Sequence, residues 1–168
     1  MKRLYALLVI LIVIYVGINV GSMVIGDNGN GNVTENVTEN VVSVGASSFL
    51  TLDNFSDTSV NDTTTSLVDS NGMTIYVSEI DNSQTIESIY NNFIANTEHT
   101  STQTIDQNGV TTYFVYNAGS ESYDADIFFN KNGQNYLISG DGIPLSNSDY
   151  FINHCKTIID TMDITSTS

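Results

Sequence analysis

Apolar positions fall into two regimes along this chain. Residues 4–25, LYALLVILIVIYVGINVGSMVI, form a nearly unbroken apolar run with no charge and Asn19 as the one strongly polar side chain. A helix of that length spans about 33 Å at ~1.5 Å per residue, close to a hydrocarbon core of ~30 Å. Inside lipid the backbone must satisfy its own hydrogen bonds, so the run is expected to be one membrane-crossing helix. Lys2 and Arg3 precede it. Basic flanks stay cytoplasmic, which puts residues 1–3 inside and everything after residue 25 outside. A cleaved signal peptide is the competing reading, with Gly17, Gly21 and Ser22 as small residues for cleavage. Against it, the run exceeds the roughly 7–15 apolar residues usual in such signals. The expectation is a retained signal anchor in the cell membrane, the chain's own contact with lipid.

Residues 26–45, GDNGNGNVTENVTENVVSVG, break the pattern. Asn, Gly and Thr dominate and NVTE repeats in tandem, a composition too polar to offset chain entropy. This stretch is expected to be a flexible stalk, with a folded domain at 46–164 and a short tail at 165–168. Within the domain, three Asn-Gly pairs separate apolar runs: Asn71-Gly72, Asn108-Gly109 and Asn132-Gly133. Asn-Gly favours the positive φ values of a type I′ turn. The pairs predict hairpins of 67–70 with 73–79, 102–107 with 110–117, and 124–131 with 134–140, with a further short strand from Phe49 to Leu52.

Alternation assigns the faces of these strands. Tyr113 and Val115 point one way, and Phe114 and Tyr116 the other. Ala125, Ile127 and Phe129 share one face and Phe128 takes the opposite one, so the sheet needs cover on both sides. Two amphipathic segments supply it. The spacing predicts a helix over 83–97, capped by Ser83, with Ile86, Ile89, Tyr90, Phe93, Ile94 and Thr97 in one stripe. A second covers 147–162, with Ser146 and Asp149 as a capping box and Phe151, Cys155, Ile158, Ile159 and Met162 inward. The predicted order is β-β-β-α-β-β-β-β-α. The fold class is α+β: an antiparallel sheet with helices packed on both faces, an α/β/α sandwich.

Charge narrows the partners. The chain carries a formal −15, and all 19 acidic residues follow the apolar run. Such a surface repels nucleic acid, whose phosphates need Lys and Arg. It suits solubility, cations or a basic protein partner. Cys155 is the single cysteine, which rules out an intramolecular disulfide. It shares a helix stripe with core residues, while neighbouring His154 points ~100° away, so the pair makes a poor nucleophile and base. His99 is the only other histidine, and no tight ligand pair for zinc exists. Oxygen ligands for calcium occur at Asp27, Asn28, Asn30 and Asn32 and at Asp124 and Asp126, without the spacing of an EF-hand loop. Asp141, between two glycines, reads as a turn residue. Four sequons, at Asn32, Asn36, Asn54 and Asn61, are candidate glycosylation sites on exterior chain.

Four segments together carry a family resemblance: TIESIYNNFIANT, VTTYFVYNAGS, DADIFFNKNGQNYLISGDG and the closing DYFINHCKTIIDTM. Over about residues 67–164 the series resembles the PsbP-like family, named for an extrinsic protein of the photosystem oxygen-evolving complex. The resemblance implies an antiparallel sheet with helices against both faces, in a family of small surface or lumenal proteins. It transfers no catalytic residues. The family's usual opening segment contains a proline and a tryptophan; here tryptophan is absent and Pro144 is the one proline.

The functional expectation is a membrane-anchored extracytoplasmic binding or accessory module, not an enzyme. It uses no cofactor and no metal, and its partner is another envelope or membrane protein. A structural or adhesive surface glycoprotein is the alternative, and an enzyme the third choice.

Overall fold

The structure, a computed structural model, describes residues 40–52 and 54–164. The expected membrane helix at 4–25, most of the stalk and the tail at 165–168 lie outside these residues. No helix among the described residues is long and apolar enough to cross a membrane.

Among the described residues five strands come first: β1 (Asn40–Val44), β2 (Ser47–Thr51), β3 (Phe55–Asn61), β4 (Thr64–Asp69) and β5 (Thr74–Ile80). Helix α1 (Ile86–Asn96) leads into β6 (Ser101–Gln107), β7 (Val110–Ala118), β8 (Ser122–Lys131) and β9 (Gln134–Pro144). A single 3-10 turn, Leu145–Asn147, precedes α2 (Ser148–Thr161), and β10 (Asp163–Ile164) ends the domain.

Two of the three Asn-Gly pairs behave as the local rule dictates. Asn108 and Gly109 have φ of 51° and 83°, and Asn132 and Gly133 have 54° and 85°, so both central residues are left-handed as type I′ requires. Their hairpins, β6–β7 and β8–β9, are in the predicted register. The Asn71-Gly72 turn differs. Only Gly72 has positive φ, and the buried Asp69 organises the loop, its Oδ1 accepting from the backbone of Asn71 and Met73. A side-chain acceptor has replaced a two-residue turn.

The main sheet is antiparallel in the order β3-β4-β5-β9-β8-β7-β6. After β5 the chain crosses through α1 to the far edge, and the meander β6 to β9 returns until β9 pairs with β5. On β8, Ile127 and Phe129 enter the larger core with Phe151, Cys155, Ile158 and Ile159 of α2. Phe128 enters a second cluster with Tyr90 of α1, Val115 and Leu137. Adjacent residues of one strand thus meet different helices, which places the helices on opposite faces. Both predicted helix stripes are the ones that pack, apart from exposed Thr97.

Four expectations need correction. The domain starts earlier than residue 46, because β1 pairs with β2 and buries Val42 and Val44. Among the described residues five strands precede α1, not three; β3 was hidden because only Phe55 of its seven residues is buried. Helix α1 is capped by Thr85, whose hydroxyl accepts from the backbone of Ser88. Ser83 is unavailable as a cap, since its N–H and hydroxyl both bond Asp81. The Ser146/Asp149 capping box does not form either. The 3-10 turn delays α2 to Ser148, and Ser146 bonds the side chain of Asn147 instead.

Candidate functional site

Two of the three reactive candidates, Cys155 and His154, are in the core. Cys155 is 1% exposed and unpaired, and burial pushes its thiol well above the usual range. His154 is also fully buried. Its ring stacks on Phe55 of β3, centroids 4.0 Å apart at 21°. Neither ring nitrogen has a hydrogen-bond partner among the described residues. Desolvation lowers the His154 pKa to about 4, opposed by the nearby Asp69 carboxylate. A neutral imidazole stacked on an arene, beside a protonated thiol with no bond between them, is packing rather than a dyad. His99 is exposed after α1, its Nδ1 near the carbonyl of Thr97.

The acids on β8 and β9 are spent locally. Asp124 and Asp126 lie on one sheet face, where Asp126 Oδ1 accepts from the Ser139 hydroxyl at 2.7 Å and Asp124 Oδ1 from the Gly142 N–H at 2.7 Å. Burial raises the Asp126 carboxyl, the Ser139 bond opposes that, and Asp141 and Asp124 add to it. Asp141 lies within β9, at the register shift opposite Tyr123 and Ala125, rather than in a turn before the helix. Among the described residues no three His, Cys, Asp or Glu side chains gather as a metal site. Asp27, Asn28, Asn30 and Asn32 lie outside the described residues, as does the Asn36 sequon.

The two remaining sequons bracket the edge strand β3, and both asparagines are exposed. Asn61 Oδ1 accepts from the Thr63 N–H at 2.9 Å and from its hydroxyl at 3.2 Å. The two functional residues of that sequon are thereby already in contact on a hairpin tip.

One concavity has a lining of hydrogen-bonding groups. A cleft of about 400 Å³ opens between residues 82–86 and the β8–β9 hairpin. Asn135, 1% exposed, is its anchor. The Asn135 amide donates to the carbonyls of Asp81 and Gln84, both at 2.9 Å, and its oxygen accepts from Asn130 at 2.8 Å. Asn82 accepts from the Asn135 N–H at 2.7 Å and donates to Gln134 at 2.6 Å. This network ties the start of α1 to a hairpin some fifty residues away. No spacing singles out these amides in the sequence: Asn130, Gln134 and Asn135 fall inside the expected strands and Gln84 inside the expected helix. The signal present was compositional: amide and hydroxyl residues crowd Asn82–Thr85, and amides, with Lys131 among them, crowd the hairpin at 130–135.

No family model and no curated relative matches the chain. A solved structure does match. The solution structure of cyanobacterial PsbP (CyanoP) from Synechocystis sp. PCC 6803 aligns with a TM-score of 0.50, covering 83% of this chain and 99% of that one at 13% identity. The match is wider than the stretch 67–164 that carries the sequence resemblance. At 13% identity it is a likeness of architecture, and on that ground this chain has a PsbP-like fold.

Proposed function

We propose that this chain is a non-catalytic accessory module. Residues 4–25 hold it at the outer face of the cell membrane, and it binds another envelope or membrane protein. The observation that carries this reading is the placement of the reactive side chains. Cys155 and His154 are sealed between α2 and the sheet, while amides, hydroxyls and carboxylates face outward. With Cys155 and His154 withdrawn from the surface, the arrangement favours recognition over thiol–imidazole catalysis. The PsbP-like fold, named for an extrinsic protein, supports the same reading, and the −15 charge favours a basic partner face over nucleic acid. Crosslinking in intact membranes, followed by gentle extraction, tests it. One protein partner should dominate the crosslinked products. Absence of any specific product would overturn the reading, as would a turnover activity in the purified chain.

A second reading has its own observation. Asn54 and Asn61 are exposed at the two ends of β3, which suits a surface glycoprotein. Intact-mass measurement of the native chain decides it: glycan mass that maps to these sites supports this reading, and the bare polypeptide mass removes it.

A further inference from the structure

The amide cleft is tied across its two sides by the Asn82 and Asn135 hydrogen bonds. Both Asn135 amide hydrogens are engaged and Asn82 makes one bond through each side-chain atom, while the Asn130 side-chain oxygen and the Gln84 side-chain nitrogen have no partner among the described residues. The Thr85 oxygen accepts from the backbone of Ser88, leaving its hydroxyl hydrogen free to donate. The open groups are therefore a mixture of donors and acceptors, and none is charged. No lining residue carries a charge, and Ile86 adds one apolar edge.

Charge decides the ligand class. Asp81 and Glu87 flank the lining segment 82–86, and two hydrogen bonds from Ser83 hold the Asp81 carboxyl below its usual range, so it is ionised; Lys131, beside Asn130, has its ammonium on the carbonyls of Ile159 and Asp160. An anion drawn to the start of α1 meets these carboxylates on a chain of charge −15. A cation finds no carboxylate in the lining itself. A neutral ligand rich in hydroxyls, each both donor and acceptor, matches the open groups without a charge to desolvate. The volume is in the lower part of the range for small-molecule sites.

We propose that this cleft binds an uncharged saccharide. Its hydroxyls engage Asn130, Gln84 and Thr85, and a C–H edge of the ring lies on Ile86. The inference rests on the reading of the domain as a binding module and adds a ligand class to it.

The test is a chemical-shift titration of the full chain in a polyoxyethylene detergent, chosen because it carries no sugar. The probes are maltotriose, triacetylchitotriose, a galactobiose and inorganic phosphate, each taken to about 20 mM, since shallow neutral sites bind in the millimolar range. At least one saccharide should move the side-chain amide signals of Asn82, Gln84 and Asn130. Gln84→Ala keeps the backbone carbonyl that Asn135 uses, so it should weaken this binding at least about fivefold, the loss of roughly one net hydrogen bond. Asn117→Ala, on a different row of the sheet, should leave it unchanged. Shifts with phosphate alone would make the cleft an anion site and overturn the proposal. Silence with all three saccharides, or shifts untouched by Gln84→Ala, would overturn it as well. Each of these results leaves the crosslinked protein partner in place, whereas loss of that partner with the saccharide shifts intact would count against the docking reading alone.

Discussion

Ser47 and Glu79, 32 residues apart, meet at 2.7 Å, the Ser47 hydroxyl donating to Glu79 Oε1. The Ala46 N–H donates to the same oxygen at 3.0 Å, and the Tyr136 hydroxyl is 2.7 Å from Ser47. This chain of bonds fastens the β1–β2 hairpin to the main sheet. Gly45, which has φ of 57°, packs so closely on the Glu79 carboxylate that an added Cβ would overlap it. Ser47→Ala leaves two polar partners short of a bond and should cost about 1–3 kcal/mol. Gly45→Ala adds left-handed strain of about 1 kcal/mol to the steric clash, so it should destabilise at least as much. Urea unfolding followed by circular dichroism measures both. Either variant unfolding at the parent's midpoint would refute the coupling.

His154 should make stability depend on pH. In the folded chain its pKa is about 4, against about 6.5 when unfolded. Between these values the unfolded chain binds the extra proton, so stability rises with pH. The contribution is complete above about pH 6.5, is lost progressively as pH falls toward 4, and levels off below, for a total of about 3 kcal/mol. Asp126 works in the opposite direction: its carboxyl is raised by burial, so it favours the folded chain at acid pH. The comparison with His154→Leu isolates the histidine. That variant should show a flatter stability profile between pH 4 and 6.5, and a profile parallel to the parent's would show that His154 does not titrate in this way.

Cys155 should resist disulfide-exchange reagents in the folded chain. It is 1% exposed and burial raises its thiol, so both access and thiolate are scarce. Labelling should track global opening and accelerate in proportion as urea is added. Fast, urea-independent labelling would mean that α2 detaches from the sheet on its own.

The parts of the fold legible in sequence are those fixed by local chemistry or strict periodicity. Asn108-Gly109 and Asn132-Gly133 specify their turns by φ alone. The Phe151, Cys155 and Ile158 stripe repeats at helical spacing. Alternation from Tyr113 to Tyr116 separates the two faces of β7, with Phe114 and Tyr116 in one cluster and Tyr113 and Val115 in the other. What escaped depends on distant partners. β3 has six exposed residues and becomes a strand only by pairing with β4. Ser83 and Thr85 are equivalent caps on paper until Asp81 engages Ser83. The amide cleft has no periodicity to read, because it exists only once residues 82–86 meet the hairpin that bears Asn130 and Asn135. His154 shows the same limit: its burial against Phe55 joins α2 to the least legible strand.

The placement of β1 changes what the minimal folded unit must contain. The boundary expected at residue 46 would remove Asn40–Val44, and with it Val42 and Val44, each 2% exposed. It would also strip β2 of the longer of its two partners, β1 across five residue pairs from Asn40 with Thr51 to Val44 with Ser47, and leave it only the two-residue pairing with β10. Burying a valine contributes about 1.5–3 kcal/mol, so the two together account for roughly 3–6 kcal/mol. The net stability of a domain is about 5–15 kcal/mol. A chain beginning at residue 46 should therefore be severely destabilised or unfolded, whereas one beginning at residue 40 should unfold cooperatively. Val42→Asp within the longer chain should reproduce the defect, because it buries an unpaired charge against the same core. Val41→Asp should not, since Val41 is 68% exposed. Paired urea melts of these four chains give the answer. If the chain starting at residue 46 melts like the longer one, β1 is an accessory strand, and the core ends at β2.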